Sequence, residues 1–219
     1  EVTKTAEDGF VQGVTFRLFG TADCGQPVDE YAVTDENGIA VFENIPIGSN
    51  YTLAEAGVPE RYVEVTPQNV RIAWNEVTKQ TVENRLVRGS IRGIKVGEAE
   101  KPLPGTVFGL FAEGTTEFTK ENALSTAVSD ASGAFHFADV EFGNYLVWEL
   151  ASPAGYVLSD EIFEVQINEN GAVIELGNLE NKPIIGELEL TKLDVSTGKP
   201  LPNAGFRIKD AEGNTVVEG

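Results

Sequence analysis

A lysine, a glutamate and an asparagine recur in the same order along this chain, and these three side chains, brought together in an apolar interior, can make an amide bond. The lysines are Lys4, Lys95 and Lys192, the glutamates Glu55 and Glu149, and the asparagines Asn84 and Asn181. Glutamate follows lysine by 51 residues in the first copy and 54 in the second, and asparagine follows glutamate by 29 and 32. Each asparagine precedes the next lysine by 11 residues. Burial lowers the pKa of a lysine and raises that of a carboxyl group, so the pair can exist as neutral amine and neutral acid. The amine is then a nucleophile toward the carboxamide carbon, while the acid can hydrogen-bond the carboxamide and carry protons to departing ammonia. Folding would supply the proximity. Such chemistry happens once, on the protein itself. The plainer reading is a buried Lys–Glu ion pair with an Asn at a strand end; recurrence of order and spacing argues against it.

These residues have to sit on strands that aim them inward. Alternation of side chains across a strand puts Val2 with Lys4, Ile91 and Gly93 with Lys95, and Leu188 and Leu190 with Lys192. By the same parity Tyr51 and Leu53 accompany Glu55, Tyr145 and Val147 accompany Glu149, Val82 and Leu86 accompany Asn84, and Leu179 accompanies Asn181. All three polar types are predicted to face the core, where an isolated charge is very costly.

The repeat is visible away from these residues as well. Gly13-Val14-Thr15-Phe16-Arg17-Leu18-Phe19 matches Gly105-Thr106-Val107-Phe108-Gly109-Leu110-Phe111, and Ala204-Gly205-Phe206-Arg207-Ile208 begins a third copy. The turn Asp35-Glu36-Asn37-Gly38 answers Asp130-Ala131-Ser132-Gly133. A period of roughly 90 to 100 residues makes each copy one small domain. The expected division is 1–87, 88–184 and a partial third copy, 185–219, with a first strand over Glu187 to Leu193. The third copy lacks the strands that would cover Leu188, Leu190, Phe206 and Ile208, so its order is expected to need a continuation or a strand from another chain.

Apolar runs are short, rich in Val, Ile, Thr, Phe and Tyr and bounded by Gly, Asp and Asn, with no sustained helical period; the class is all-β. Thirty-five Asp and Glu against 16 Lys and Arg give a formal charge of −19, which disfavours nucleic acid as a partner. No apolar run approaches 18 residues and there is no Met, so the segment is read as a piece of something longer with no membrane span of its own.

A single cysteine excludes an internal disulfide, and another covalent device would suit an extracellular β-rod. Cys24 falls at a hairpin tip, Thr21 to Pro27. Its spacing to Gln26 fits no thioester motif, and it reads as an idle exposed thiol. His136, the one histidine, alternates against Phe135 and Phe137 and is expected to face solvent, which argues against a metal site. The Asp-x-x-Gly segments lack the ligand series of a calcium loop and read as turns. Trp74 shares parity with Val70 and Ile72 and is predicted in the core; Trp148, opposite Glu149, is predicted exposed. No cofactor is implied.

The chain resembles the collagen-adhesin B-type (CnaB, SpaA-like) domains of Gram-positive surface proteins and pilins. The resemblance rests on Lys101-Pro102-Leu103-Pro104-Gly105-Thr106-Val107-Phe108, on Lys199-Pro200-Leu201-Pro202-Asn203-Ala204-Gly205-Phe206, on the Asp-x-x-Gly turn, and on Tyr145 through Glu149 to Ser152-Pro153-Ala154-Gly155-Tyr156, which looks like the family's glutamate box. The first copy departs from the box after Glu55, reading Ala56-Gly57-Val58-Pro59-Glu60-Arg61-Tyr62. The resemblance implies tandem inverse immunoglobulin-like β-sandwiches with isopeptide bonds Lys4–Asn84 and Lys95–Asn181, catalysed by Glu55 and Glu149. Lys192 matches the nucleophile of a third domain. The expected role is a stalk or shaft segment of an adhesin or pilin on the wall-anchored surface of a Gram-positive bacterium, its partners being neighbouring domains or subunits. The alternative is an adhesive module for a host protein or glycan. Catalysis of an external reaction is not expected.

Overall fold

A computed structural model describes residues 1–218. The first seven strands are β1 (Val2–Ala6), β2 (Thr15–Thr21), β3 (Pro27–Val33), β4 (Ile39–Ala40), β5 (Gly48–Ala56), β6 (Gln68–Ile72) and β7 (Gln80–Asn84). They form two facing sheets, ordered β4-β1-β7 and β3-β2-β5-β6. The next seven are β8 (Arg88–Val96), β9 (Val107–Ala112), β10 (Ser125–Val128), β11 (Ala134–Glu141), β12 (Gly143–Ala151), β13 (Ile162–Ile167) and β14 (Val173–Glu180), in sheets β11-β8-β14 and β10-β9-β12-β13. Strand for strand the two orders are the same, so the sequence repeat is also a repeat of topology.

Alternation builds each core. Val2, Phe16, Leu18, Tyr51, Leu53, Val70 and Val82 fill the first sandwich, and Ile91, Phe108, Leu110, Phe135, Val147, Val165 and Leu179 fill the second. In each sandwich the first strand pairs in parallel with the last, β1 with β7 and β8 with β14. That pairing puts the two ends of a domain side by side.

At the junction, the Glu7 carboxylate accepts from the Leu86 amide at 2.9 Å and from Arg88 at 2.7 Å, and Arg88 also donates to Glu141 at 2.9 Å. These bonds hold the Glu7 carboxyl below its ordinary pKa, the Leu86 N–H contributing most. Residues 1–183 make one compact unit and residues 184–219 another.

The second unit departs from the sequence reading. No strand forms over Glu187 to Leu193; only an isolated bridge, Leu193 to Pro200, precedes the hairpin of β15 (Arg207–Lys209) and β16 (Thr215–Glu218). The reason is pairing. In both sandwiches the first strand lies between two strands that come later in the repeat, and residues 184–218 supply neither equivalent. Leu188, Leu190 and Lys192 are accordingly exposed.

Two tryptophans also differ from expectation. Trp74 is 82% exposed, because β6 ends at Ile72 and Trp74 lies in a turn, where strand parity no longer applies. Trp148 does point away from the core, but Phe118 packs on it at 4.7 Å and leaves it half-buried. His136 and Cys24 are exposed, as their positions in strand and hairpin tip require.

Candidate functional site

Register explains how lysine and asparagine meet. Lys4 is opposite Val82 and Lys95 is opposite Leu179, each on the parallel neighbouring strand. Asn84 and Asn181 lie two residues further on, hence on the same inward face. The glutamates come from the opposing sheet: Glu55 pairs with Phe16 on β2 and Glu149 with Phe108 on β9. Each trio therefore spans its sandwich.

In the second sandwich the trio is closed. Lys95 Nζ donates to Asn181 Oδ1 at 2.6 Å and lies 2.9 Å from Glu149 Oε2. Asn181 Nδ2 donates to Glu149 Oε1 at 2.5 Å and to Ser152 Oγ at 2.9 Å. Lys95 is 1% exposed, Glu149 2% and Asn181 2%. The Phe108 ring, 5.8 Å from Nζ, forms an apolar wall.

The first sandwich is arranged more loosely. Asn84 Nδ2 donates to Glu55 Oε1 at 2.9 Å, but Lys4 Nζ donates to the carbonyl of Thr5 at 2.7 Å. Asn84 Oδ1 and Glu55 Oε2 are buried without hydrogen-bond partners. Burial pushes the Lys4 ammonium below its ordinary pKa, against the opposing pull of Glu55, Asp8 and Glu83. Lys4 and Asn84 are fully buried, while Glu55 is half-buried. Lys192, the third lysine of the series, stands exposed.

Sequence reasoning treated the Asp-x-x-Gly turns only as punctuation. Their glycines hold the lysine strand. The amide of Lys4 donates to the carbonyl of Gly38, and that of Lys95 to the carbonyl of Gly133, both at 2.7 Å. Asp35 and Asp130 shape these turns by accepting from the amides two and four residues on. Gly38 and Gly133 have φ of +76° and +78°, and a Cβ on either would collide with the lysine carbonyl. The turn recurring in phase with the lysine was the available signal. Replacing Gly133 with Ala is expected to destabilise the second sandwich by roughly 1–2 kcal/mol through the left-handed backbone alone, with the collision in addition. Melting temperature and the yield of Lys95–Asn181 product, read by peptide mass, should both fall; an unchanged yield and melting point would show that the turn does not hold the lysine strand.

The comparisons agree with this architecture. The family model for the SpaA prealbumin-like fold domain matches residues 1–86 and again 89–182. Among solved structures, the Bacillus anthracis TIE protein is 30% identical over 100% of this chain, with a TM-score of 0.80, and the match covers 40% of its own length. The chain thus spans about two fifths of that protein. A C-terminal fragment of the pilus adhesin SpaC from Lactobacillus rhamnosus GG shares the fold at 15% identity, with a TM-score of 0.55 over 86% of this chain and 98% of that one. No curated protein sequence matches. Two tandem matches, covering both sandwiches nearly from end to end, place the chain in the SpaA family of prealbumin-like fold domains.

Proposed function

We propose that this chain is a stalk or shaft segment of a Gram-positive surface adhesin or pilin, divided at 1–87, 88–184 and 185–219, and that its two complete domains close themselves with Lys4–Asn84 and Lys95–Asn181 amide bonds. The carrying observation is the buried contact of Lys95, Glu149 and Asn181 between the first and last strands of one domain. Glu149 takes a proton from the Lys95 ammonium; the neutral Nζ attacks Asn181 Cγ. A proton leaves Nζ for the carboxyl, the carboxyl gives one to Nδ2, and the Cγ–Nδ2 bond breaks. Amine and carboxamide become a secondary amide and ammonia; the proton that Glu149 first took from the ammonium passes to the departing ammonia, which leaves as ammonium, and Glu149 returns to carboxylate. Glu55 has the same role for Lys4 and Asn84, after Lys4 Nζ turns from the Thr5 carbonyl to the asparagine.

Intact mass decides this. The purified chain is expected to be lighter than its sequence by two ammonia molecules, with cross-linked peptides joining Lys4 to Asn84 and Lys95 to Asn181. A mass equal to the unmodified sequence would refute the reading.

A second reading, an adhesive module, is favoured by one feature. A cleft of about 410 Å³ opens in the first sandwich, with Leu18, Phe42, Leu53 and Val70 on its apolar side and Glu1, Asn44, Glu76 and Gln80 on its polar side. The exposed Trp74 follows Ala73, which lines it. Domain 1 would then bind a host glycan or protein through aromatic stacking. Binding to host-cell extracellular matrix that is lost in Trp74→Ala would support it; equal retention of both proteins would dismiss it.

A further inference from the structure

Ser152 has a place in the second site that its counterpart in the first cannot fill. Register slips between Glu149 and Ala151 where β12 pairs with β9, a bulge that re-phases the alternation of side chains. Without it Ala151 would share the face of Glu149; with it Ala151 is exposed and Ser152 turns inward to accept from Asn181 Nδ2 at 2.9 Å. In the first sandwich the pairing of β5 with β2 runs on through Glu55 and Ala56 without a slip, and Val58 stands at the matching position.

Two orientations of a buried carboxamide differ only in exchanging oxygen and nitrogen. In the second site both hydrogens of Nδ2 have acceptors, Glu149 Oε1 and Ser152 Oγ, and Oδ1 has a donor, Lys95 Nζ. The flipped group would put an oxygen against a carboxylate and an NH₂ against an amine. In the first site only the bond to Glu55 is made, Asn84 Oδ1 is left unpartnered, and Lys4 Nζ points to a backbone carbonyl. The difference tracks the hydroxyl.

We infer that Ser152 is a further catalytic residue of the second domain: it fixes the Asn181 carboxamide with its carbon open to Lys95 and holds the leaving nitrogen while Glu149 protonates it. This rests on the amide-forming reaction proposed above. The balance of that reaction is unchanged, because Ser152 accepts a hydrogen bond and neither gains nor loses a proton. The first domain, with Val58, closes without this help.

The test is timed cell-free synthesis of the full chain, quenched in denaturant, with both cross-linked peptides quantified at each time. Ser152→Ala and Ser152→Val should slow the Lys95–Asn181 bond about tenfold, the rate equivalent of one hydrogen bond. Ser152→Thr, which keeps the hydroxyl on the shape of Val, should restore most of it. Formation of the Lys4–Asn84 bond in the same molecules should be unaltered, which separates a slowed reaction from slowed synthesis. Serine does not titrate, so the rate should fall by the same factor at every pH; a displaced pH profile would mean that the substitution disturbed Glu149 or Lys95, and would overturn the assignment. Equal rates in all four chains would also overturn it while leaving the amide chemistry standing. Absence of the bond in the unsubstituted chain would instead remove the reaction itself.

Discussion

Glu149→Gln is expected to give a second domain that folds, keeps Lys95 and Asn181 in contact, and fails to join them. The glutamine is nearly isosteric with the carboxyl and retains an oxygen for the Asn181 amide, but it cannot accept the ammonium proton and pass one to the leaving nitrogen. General acid–base catalysis of this kind contributes about 10²–10⁴-fold. Over the hours of a preparation the variant should therefore retain the ammonia that the unsubstituted domain loses, and its intact mass should exceed the doubly linked value by one ammonia plus the change of side chain. The first domain serves as an internal control, since Glu55 is untouched. Far-UV circular dichroism should show undiminished β-structure. Bond formation at the unsubstituted rate would remove Glu149 from the mechanism and leave only proximity to account for the reaction.

The trio could be found in the sequence because parity within a strand is a local rule and the residues sit inside paired strands, at their ends or, for Asn181, one residue beyond the last pair. Lys4, Lys95, Asn84, Asn181 and Glu149 are all buried as alternation requires. The rule failed where its physical basis lapsed. Trp74 lies beyond the last paired residue of β6, and Ser152 lies past a bulge that reverses the face. The stretch from Glu187 to Leu193 has the right alternation and still forms no strand, because a strand is stabilised by neighbours that a local pattern does not contain. Nor could parity show that the Gly38 and Gly133 carbonyls hold the lysine strands, since that contact joins elements some 35 residues apart in sequence. The order of the two trios is the same and their spacing nearly so, which leaves the two sites indistinguishable in the sequence. The geometry distinguishes them: Lys95 already reaches its asparagine, and Lys4 must first leave the Thr5 carbonyl.

Asn181→Ala is expected to have the largest effect on mechanical behaviour. It removes the acceptor and keeps the close Lys95–Glu149 pair, so no buried charge is stranded. In the linked domain, tension arriving along β8 crosses at Lys95 to Asn181 and leaves, and the 86 residues of chain between them carry little load. Stretching single molecules of the unsubstituted chain should therefore show no extension from the interior of the second domain. The variant should release those 86 residues as one event of roughly 300 Å. The loop-entropy treatment of cross-links gives a stability loss of about 4–5 kcal/mol for a loop of this size, a model-dependent figure. That loss corresponds to a fall in melting temperature of about 8–20 °C where both domains melt as one unit, and of about 16–40 °C where the second domain melts alone. The two readouts are independent, because thermal stability measures what the link does to the unfolded chain and the stretching event measures where force travels. A variant that melts lower but still withholds the 300 Å extension would show that the fold bears the load without the bond. If the unsubstituted domain also yields that extension at comparable force, tension runs through the sheets, and a covalent route from first strand to last has to be given up.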